Sequence, residues 1–284
     1  MVKAFFDAPT FTFTYVVHDA ETRRAAVIDS VLTYDPAAGR TGHEAVEPVI
    51  AYVEAQGLSV DWHLETHAHA DHLSAAPYLQ QKLGGKIAIG AHICEVQHTF
   101  GALFNAGTAF QRDGSDFDHL WADGDQFMIG NIAVTVLHVP GHTPACVAYV
   151  IGDAAFVGDT MFMPDYGTAR ADFPGGDART LFRSLRRLLE LPPETRLFLC
   201  HDYLPEGRDH YAWETTVAEQ RRANIHAHDG VSEDDFVAMR EARDATLDMP
   251  RLILPSVQVN MRAGHLPPPD DNGVTYLKIP VNQL

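Results

Sequence analysis

The sequence predicts an α/β protein in which two β-rich layers pack together and helices cover their outer faces. The order of the segments predicts it. Short aromatic or β-branched runs come first, helical and strand-like stretches then alternate, and strands return before a helical tail. Composition agrees. With 284 residues, 46% hydrophobic and 21% charged, the chain can bury a large core without disulfides. No internal repeat of about 20 to 50 residues points to a solenoid or propeller.

The elements follow in order. Phe11 to Val17 and Arg24 to Asp29 are strands, separated by the turn-like 19–22, and 35–42 is a loop. Glu44 to Gln56 places Val46, Ile50 and Val53 at helical spacing and stops at Gly57. Val60 to Glu65 is a strand, Leu73 to Leu83 a helix ended by Gly84-Gly85, and Lys86 to Ile89 a short strand. The Gly-rich, polar stretch Phe100 to Asp118 is expected to be a long loop able to cover a site. Gln126–Ile129 with Ile132–Val139 forms a hairpin around Gly130-Asn131, and Val147–Ile151 with Ala155–Val157 another around Gly152-Asp153. Ala178 to Leu189 is an amphipathic helix before Pro192-Pro193, and Arg196 to Cys200 is a strand. Trp213 to Leu247 turns helical, and the irregular end carries a strand-like Thr275 to Ile279. The whole, 1–284, is expected to be one domain with a helical and irregular extension from about 212.

Lys plus Arg number 21 against 38 Asp plus Glu, a net charge of −17. Such a surface repels phosphate backbones and anionic lipids, which argues against nucleic-acid or membrane-surface binding. An anionic small substrate then needs a local positive site, either a metal or a few arginines. Apolar runs such as Arg251-Leu-Ile-Leu-Pro255 are too short to span a bilayer, and Met1 to Asp7 meets an acid before any signal-like core. Cys94, Cys146 and Cys200 form no disulfide framework, so a reducing compartment, the cytoplasm, is expected.

The sixteen histidines carry the functional signal. Thr66-His67-Ala68-His69-Ala70-Asp71-His72 puts three imidazoles and a carboxylate at a strand end. Crowding them together without a cation would be poor electrostatics. Imidazole and carboxylate donors without cysteine suit Zn, Fe or Mn rather than a structural zinc knuckle. His142, Asp159 and His201 each follow a further predicted strand. Four strand ends tipped with His or Asp make one site.

The H-x-H-x-D-H run followed by His, Asp and His resembles the metallo-β-lactamase superfamily, over His67 to His201. The resemblance implies an αββα sandwich, two mixed sheets with helices on the outer faces and metals at its edge. It places His67, His69 and His142 at one metal position and Asp71, His72 and His201 at a second, with Asp159 able to bridge. Asp71 could also serve as general base.

Within that superfamily three segments resemble the persulfide dioxygenases of the glyoxalase II-like branch: Arg170-Ala-Asp172-Phe173-Pro-Gly-Gly176, His201-Asp202-Tyr203 and Asn260-Met261-Arg262-Ala263-Gly264. Ala263 stands where many of them carry cysteine. The loop 161–167 also resembles a bacterial branch of β-lactamase-like hydrolases. This likeness implies one Fe(II) per chain on His67, His142 and Asp159, with glutathione persulfide or a related small thiol and O₂ as substrates. It also implies a homodimer and a rhodanese partner. Three protein ligands would leave three iron faces open.

The alternative is a glyoxalase II-type thioester hydrolase with two zinc or mixed metals, since His69, Asp71, His72 and His201 complete a second site. Against it, Arg170 is followed by Ala-Asp-Phe rather than Phe-Phe. A catalytically idle metal- or sulfur-binding sensor is a third reading, disfavoured because no ligand has been lost. Arg170 is expected to grip a substrate carboxylate, or else to pair with Asp172 or Asp165, and Tyr203 to donate its phenol to the substrate.

Overall fold

The computed structural model describes residues 1–283. The first half runs β1 (Val2–Asp7), β2 (Thr12–His18), β3 (Arg24–Ile28), β4 (Val31–Asp35), β5 (Arg40–Gly42), α1 (Glu47–Ala55), β6 (Ser59–Leu64), β7 (Leu73–Ser74), α2 (Ala76–Leu83), β8 (Lys86–Gly90), α3 (Ile93–Leu103) and β9 (His119–Trp121). The second half runs β10 (Gln126–Ile129), β11 (Ile132–His138), β12 (Val147–Ile151), β13 (Ala154–Phe156), α4 (Ala178–Leu189), β14 (Arg196–Phe198), β15 (Glu214–Thr216), α5 (Val217–Ala223), α6 (Glu233–Asp244) and α7 (Ile253–Asn260).

Two six-stranded sheets result, ordered β1-β2-β3-β6-β8-β9 and β10-β11-β12-β13-β14-β15, with a small sheet β5-β4-β7 beside them. Both are mixed. The first is antiparallel over β1-β2-β3 and parallel from β3 to β9, and the second has one parallel pair, β13 with β14.

Alternation along the strands makes the layers. On β2, Phe13, Tyr15 and Val17 face the other sheet and meet Val134, Val136, Tyr149, Phe156 and Phe198. Val16, between them, turns outward to Val49, Ile50 and Val53 of α1 and Leu79 of α2. On the far side Leu181, Leu185 and Leu188 of α4 cover Ala148, Ala155 and Leu197, with Phe236 of α6 outside. The order is helix, sheet, sheet, helix.

The hairpins around Gly130 and Gly152 form as expected, with Ile129 opposite Ile132 and Ile151 opposite Ala154. Short strands β5, β7 and β15 form within 35–42, 73–83 and 213–247, where a loop, a helix and a helical stretch were expected, and four further expectations are corrected. Strand β1 was not expected, since Val2-Lys-Ala-Phe-Phe has no clean alternation. Phe100–Leu103 ends α3 rather than beginning a loop, and 104–118 sinks Phe110 and Phe117 into a core with α3 and α7 instead of covering the site. The apolar run at 252–257 becomes α7, tolerating Pro255 in its first turn. Residues 275–279 form no strand and pair with none of the sheets. Among the described residues no helix is long and apolar enough to cross a membrane.

Candidate metal centre

His67, His69, Asp71 and His72 lie in the loop leaving β6, His142 in the loop after β11, Asp159 in the 3-10 turn after β13 and His201 just beyond β14. All seven converge. Their donor atoms fall into two groups: His67, His142 and Asp159 in one, and His69, Asp71, His72 and His201 in the other, each with its atoms within 4.8 Å of one another. His69 therefore stands with the second group, whereas the superfamily likeness pairs it with His67 and His142. Asp159 faces both, with Oδ2 3.8 Å from His67 Nε2 and 3.6 Å from His142 Nε2, and Oδ1 3.2 Å from His201 Nε2.

Two glycines make this close approach possible. Gly141 has φ +132°, and a Cβ there would strike the backbone of Leu181 on α4 at 2.3 Å. Gly158 has φ +52°, and a Cβ there would meet the Thr66 side chain at 2.5 Å. Neither position accepts an L side chain without moving its ligand loop.

Hydrogen bonds on the outer nitrogens set each ring. His142 Nδ1 donates to the Arg170 carbonyl at 2.8 Å. His67 Nδ1 lies 3.0 Å from Thr66 Oγ1, which itself donates to Asp29 Oδ2 at 2.9 Å. His201 Nδ1 lies 3.3 Å from the Phe11 carbonyl and 3.2 Å from Thr12 Oγ1. These contacts leave Nε2 of the three rings free to coordinate. His69 is turned the other way, with Nε2 3.1 Å from Asp29 and 3.4 Å from Glu65.

The test of fit is what lies unpaired. His67 Nε2, His69 Nδ1, Asp71 Oδ2, His72 Nε2, Asp159 Oδ1 and His201 Nε2 are all buried without a hydrogen-bond partner. Isolated buried polar atoms are costly, and a cation would relieve those of its own group: His67 belongs to the first, His69, Asp71, His72 and His201 to the second, and Asp159 faces both. The donor set fits a borderline metal ion.

Charge supports this. Burial, joined by the neighbouring imidazoles, holds the His67 pKa well below the usual histidine range, so its ring is neutral and available. Burial also opposes charge on Asp71, but His201 and His72 outweigh it and hold Asp71 as a carboxylate. For His69 the Asp29 and Glu65 carboxylates overcome burial and raise the pKa well above normal. A metal at Nδ1 would replace one proton and leave the Nε2–H on Asp29.

Asp71, His142 and Asp159 form the floor of a cavity of about 500 Å³. Tyr203 lines it, its ring 5.7 Å from that of His201, and its hydroxyl makes no hydrogen bond among the described residues. Burial, with Asp71 and Asp159 nearby, pushes its pKa well above normal, so the phenol stays protonated as a donor. Arg170 also lines the cavity, but its fork is taken: Nε and Nη2 hold Asp172 at 2.6 and 2.7 Å, and Nη1 donates to the Asp248 carbonyl at 2.7 Å. The ion-pair reading fits its geometry, and a bidentate substrate grip does not.

Sequence reading missed Asp29, Glu65 and Thr12. Asp29 alone was discoverable, as a lone acid ending an apolar strand. The segment 260–264 acquires a physical role: Asn260 Nδ2 donates to the carbonyls of His69 and His72, and its Oδ1 accepts from Ser74 N. Ala263 sits in the apolar cluster of α3 and α7.

Two packed sheets with His and Asp at strand ends, around one desolvated pocket, define a metal-binding His/Asp cluster at the sandwich edge. The profile of the metallo-beta-lactamase superfamily matches residues 7–201, and the chain belongs to that superfamily. It is 58% identical to a probable metallo-hydrolase of Burkholderia pseudomallei, over 100% of this chain and 99% of that one. It is 54% identical to a beta-lactamase hydrolase-like protein of Xylella fastidiosa, matching 100% of this chain but 65% of that longer one. The persulfide dioxygenase ETHE1 of Bos taurus is 29% identical over 95% of this chain and 91% of its own. Among solved structures, ETHE1 from Myxococcus xanthus superposes with a TM-score of 0.74 at 29% identity, covering 93% of this chain and 100% of that one.

Proposed function

We propose that the chain is a non-haem Fe(II) persulfide dioxygenase, oxidising the outer sulfur of glutathione persulfide to sulfite. The observation that carries this reading is the grouping of His67, His142 and Asp159, two imidazoles and one carboxylate, with His142 and Asp159 on the cavity floor. Iron held there would supply what zinc cannot, electron exchange with O₂. The likeness to the ETHE1 persulfide dioxygenases supports it.

The reaction balances as one persulfide, one O₂ and one water giving one thiol, one sulfite and two protons. In it the protein's own groups orient and exclude. Tyr203 presents a protonated hydroxyl to the substrate, and Phe11, Phe162 and Tyr166 dry the wall around it. Asp71, 23% exposed on the cavity floor, stays a carboxylate and would orient the substrate or a water by accepting a hydrogen bond. His69, His72 and His201 complete the superfamily donor set. In this reading residues 1–284 act as one domain, the part from about 212 forming the outer cavity wall. The protein works in the cytoplasm as a homodimer with a rhodanese supplying or taking sulfane sulfur.

The second reading is a glyoxalase II-type thioester hydrolase with two zinc or mixed metals. The completeness of the second donor group favours it, as does the likeness to a probable metallo-hydrolase. One assay separates the two. Enzyme purified without added metal should carry about one iron per chain, consume oxygen on glutathione persulfide, release sulfite and stop under argon. Rapid anaerobic cleavage of S-lactoylglutathione, without oxygen uptake on the persulfide, would establish the hydrolase instead.

A further inference from the structure

Four arginines line one cavity in a chain of net charge −17: Arg170, Arg240, Arg243 and Arg251. Two are committed elsewhere. Arg170 holds Asp172, and Arg240, 1% exposed, holds Asp244 and donates to the Thr168 carbonyl. Arg243 and Arg251 are different. Both are exposed, and among the described residues neither has a carboxylate within 4.0 Å or a side-chain hydrogen bond. Of the other surface arginines, Arg179, Arg196 and Arg221 are matched to acids, whereas Arg23 and Arg40 are not but lie outside the cavity. The acids facing this cavity are Asp71 and Asp159 on its floor and Asp248 at its mouth. Phe11, Phe162, Tyr166 and Tyr203 supply an apolar part of the lining, and the exposed Arg243 and Arg251 a cationic outer part.

We propose that Arg243 and Arg251 are the specificity-determining residues: they hold the carboxylates of a short peptide thiol at the cavity mouth while its sulfur reaches the floor. The inference rests on the reading above that the substrate is a thiol derivative. Arginine forks match carboxylates in geometry and charge, and these two have unused donors. The volume of about 500 Å³ has room for a tripeptide. Arg243 lies in the last turn of α6 and Arg251 in the turn before α7, so the stretch between the two helices gains a function the metal loops cannot supply.

The test uses the metal-loaded full chain. Glutathione binding is measured by calorimetry, and kcat and KM on glutathione persulfide, for Arg243→Gln, Arg251→Gln, the double variant and the two Lys replacements. Arg222→Gln, 75% exposed and outside the cavity, controls for the loss of one charge. Each Gln variant should raise the glutathione Kd and the KM about 10-fold with kcat within about twofold, as expected for one charge-assisted bond. Lys should restore part of the loss, and 2-hydroxyethyl persulfide, which carries no carboxylate, should be unaffected. An unchanged glutathione Kd in the double variant, an equal loss in Arg222→Gln or an equal loss on the carboxylate-free persulfide would overturn the assignment. So would arginine dependence for coenzyme A but not for glutathione. Arginine-dependent glutathione binding without oxygen uptake in the wild type would sink the dioxygenase reading and leave this one standing.

Discussion

Asp29 follows β3 with φ +52°, in the left-handed region that few residues other than glycine adopt, and its side chain explains the exception. The carboxylate accepts from Thr66 N at 2.8 Å and from Thr66 Oγ1 at 2.9 Å, and Oδ1 meets His69 Nε2 at 3.1 Å. Burial alone would raise its pKa, but His69 and the Thr66 bonds outweigh burial and keep it charged. Asp29→Asn keeps the shape and loses the charge, so metal affinity should fall roughly 10- to 100-fold with the fold intact. Competitive chelator titration with circular dichroism as control would measure it, and wild-type affinity would reject the orienting role. His63 shows the opposite effect away from the donors. Burial lowers its pKa to about 4, against a weaker contrary pull from the Gly84 carbonyl and Asp118. Between about pH 6.5 and 4 the unfolded chain binds a proton that the folded chain refuses, so stability falls as pH drops through that window. The contribution is roughly 3 kcal/mol. Urea unfolding at pH 7 and 4.5 should show a smaller acid loss in His63→Gln than in wild type; equal losses would exclude His63 as a source.

Helix α4 shows how an outer element tunes the centre. Asp177 caps it, accepting from Thr180 N at 2.7 Å, and Arg186 and Arg187 sit in its last turn, where the helix dipole favours cations. Its apolar face holds the second sheet, and its Leu181 backbone is the surface that Gly141 approaches. Asp177→Ala should cost about 1 kcal/mol. A thermal melt of the apo-protein would show the loss, and no change would mean the cap is redundant. Helix α4 was legible because Leu181, Leu185 and Leu188 repeat at helical spacing. Helix α7 was not. Its eight residues are buried almost all round, so no polar face marks the period, and Pro255 suggested a break. Yet α7 presents Asn260, which binds the loop carrying His69 and His72.

Across the whole molecule, four loops from two sheets bring five imidazoles and two carboxylates into one desolvated space. Such an assembly is frustrated without a cation, and metal bound to the folded chain alone adds stability by mass action, about 2.7 kcal/mol at a hundredfold excess over Kd. Chelation should therefore lower Tm by several degrees, and stoichiometric Fe(II) under argon should restore it. A Tm indifferent to verified metal loss would mean that the donors do not form a metal centre.

The donor residues were readable because a metal needs particular side chains, and H-x-H-x-D-H places four of them within six residues. The two layers were readable because alternating Phe13, Tyr15 and Val17 can bury one face only against a second sheet. The partners of each side chain were not. Sequence left Arg170 open between a substrate carboxylate and Asp172, and folding put Asp172 and the Asp248 carbonyl on its fork, while nothing in the sequence marked Arg243 and Arg251 as cavity residues. Likewise, the grouping of His69 with Asp71, His72 and His201 depends on Asp29, forty residues earlier, turning its ring. Spacing along a chain carries the chemistry a residue can do; which groups satisfy its donors and charge is decided by long-range packing.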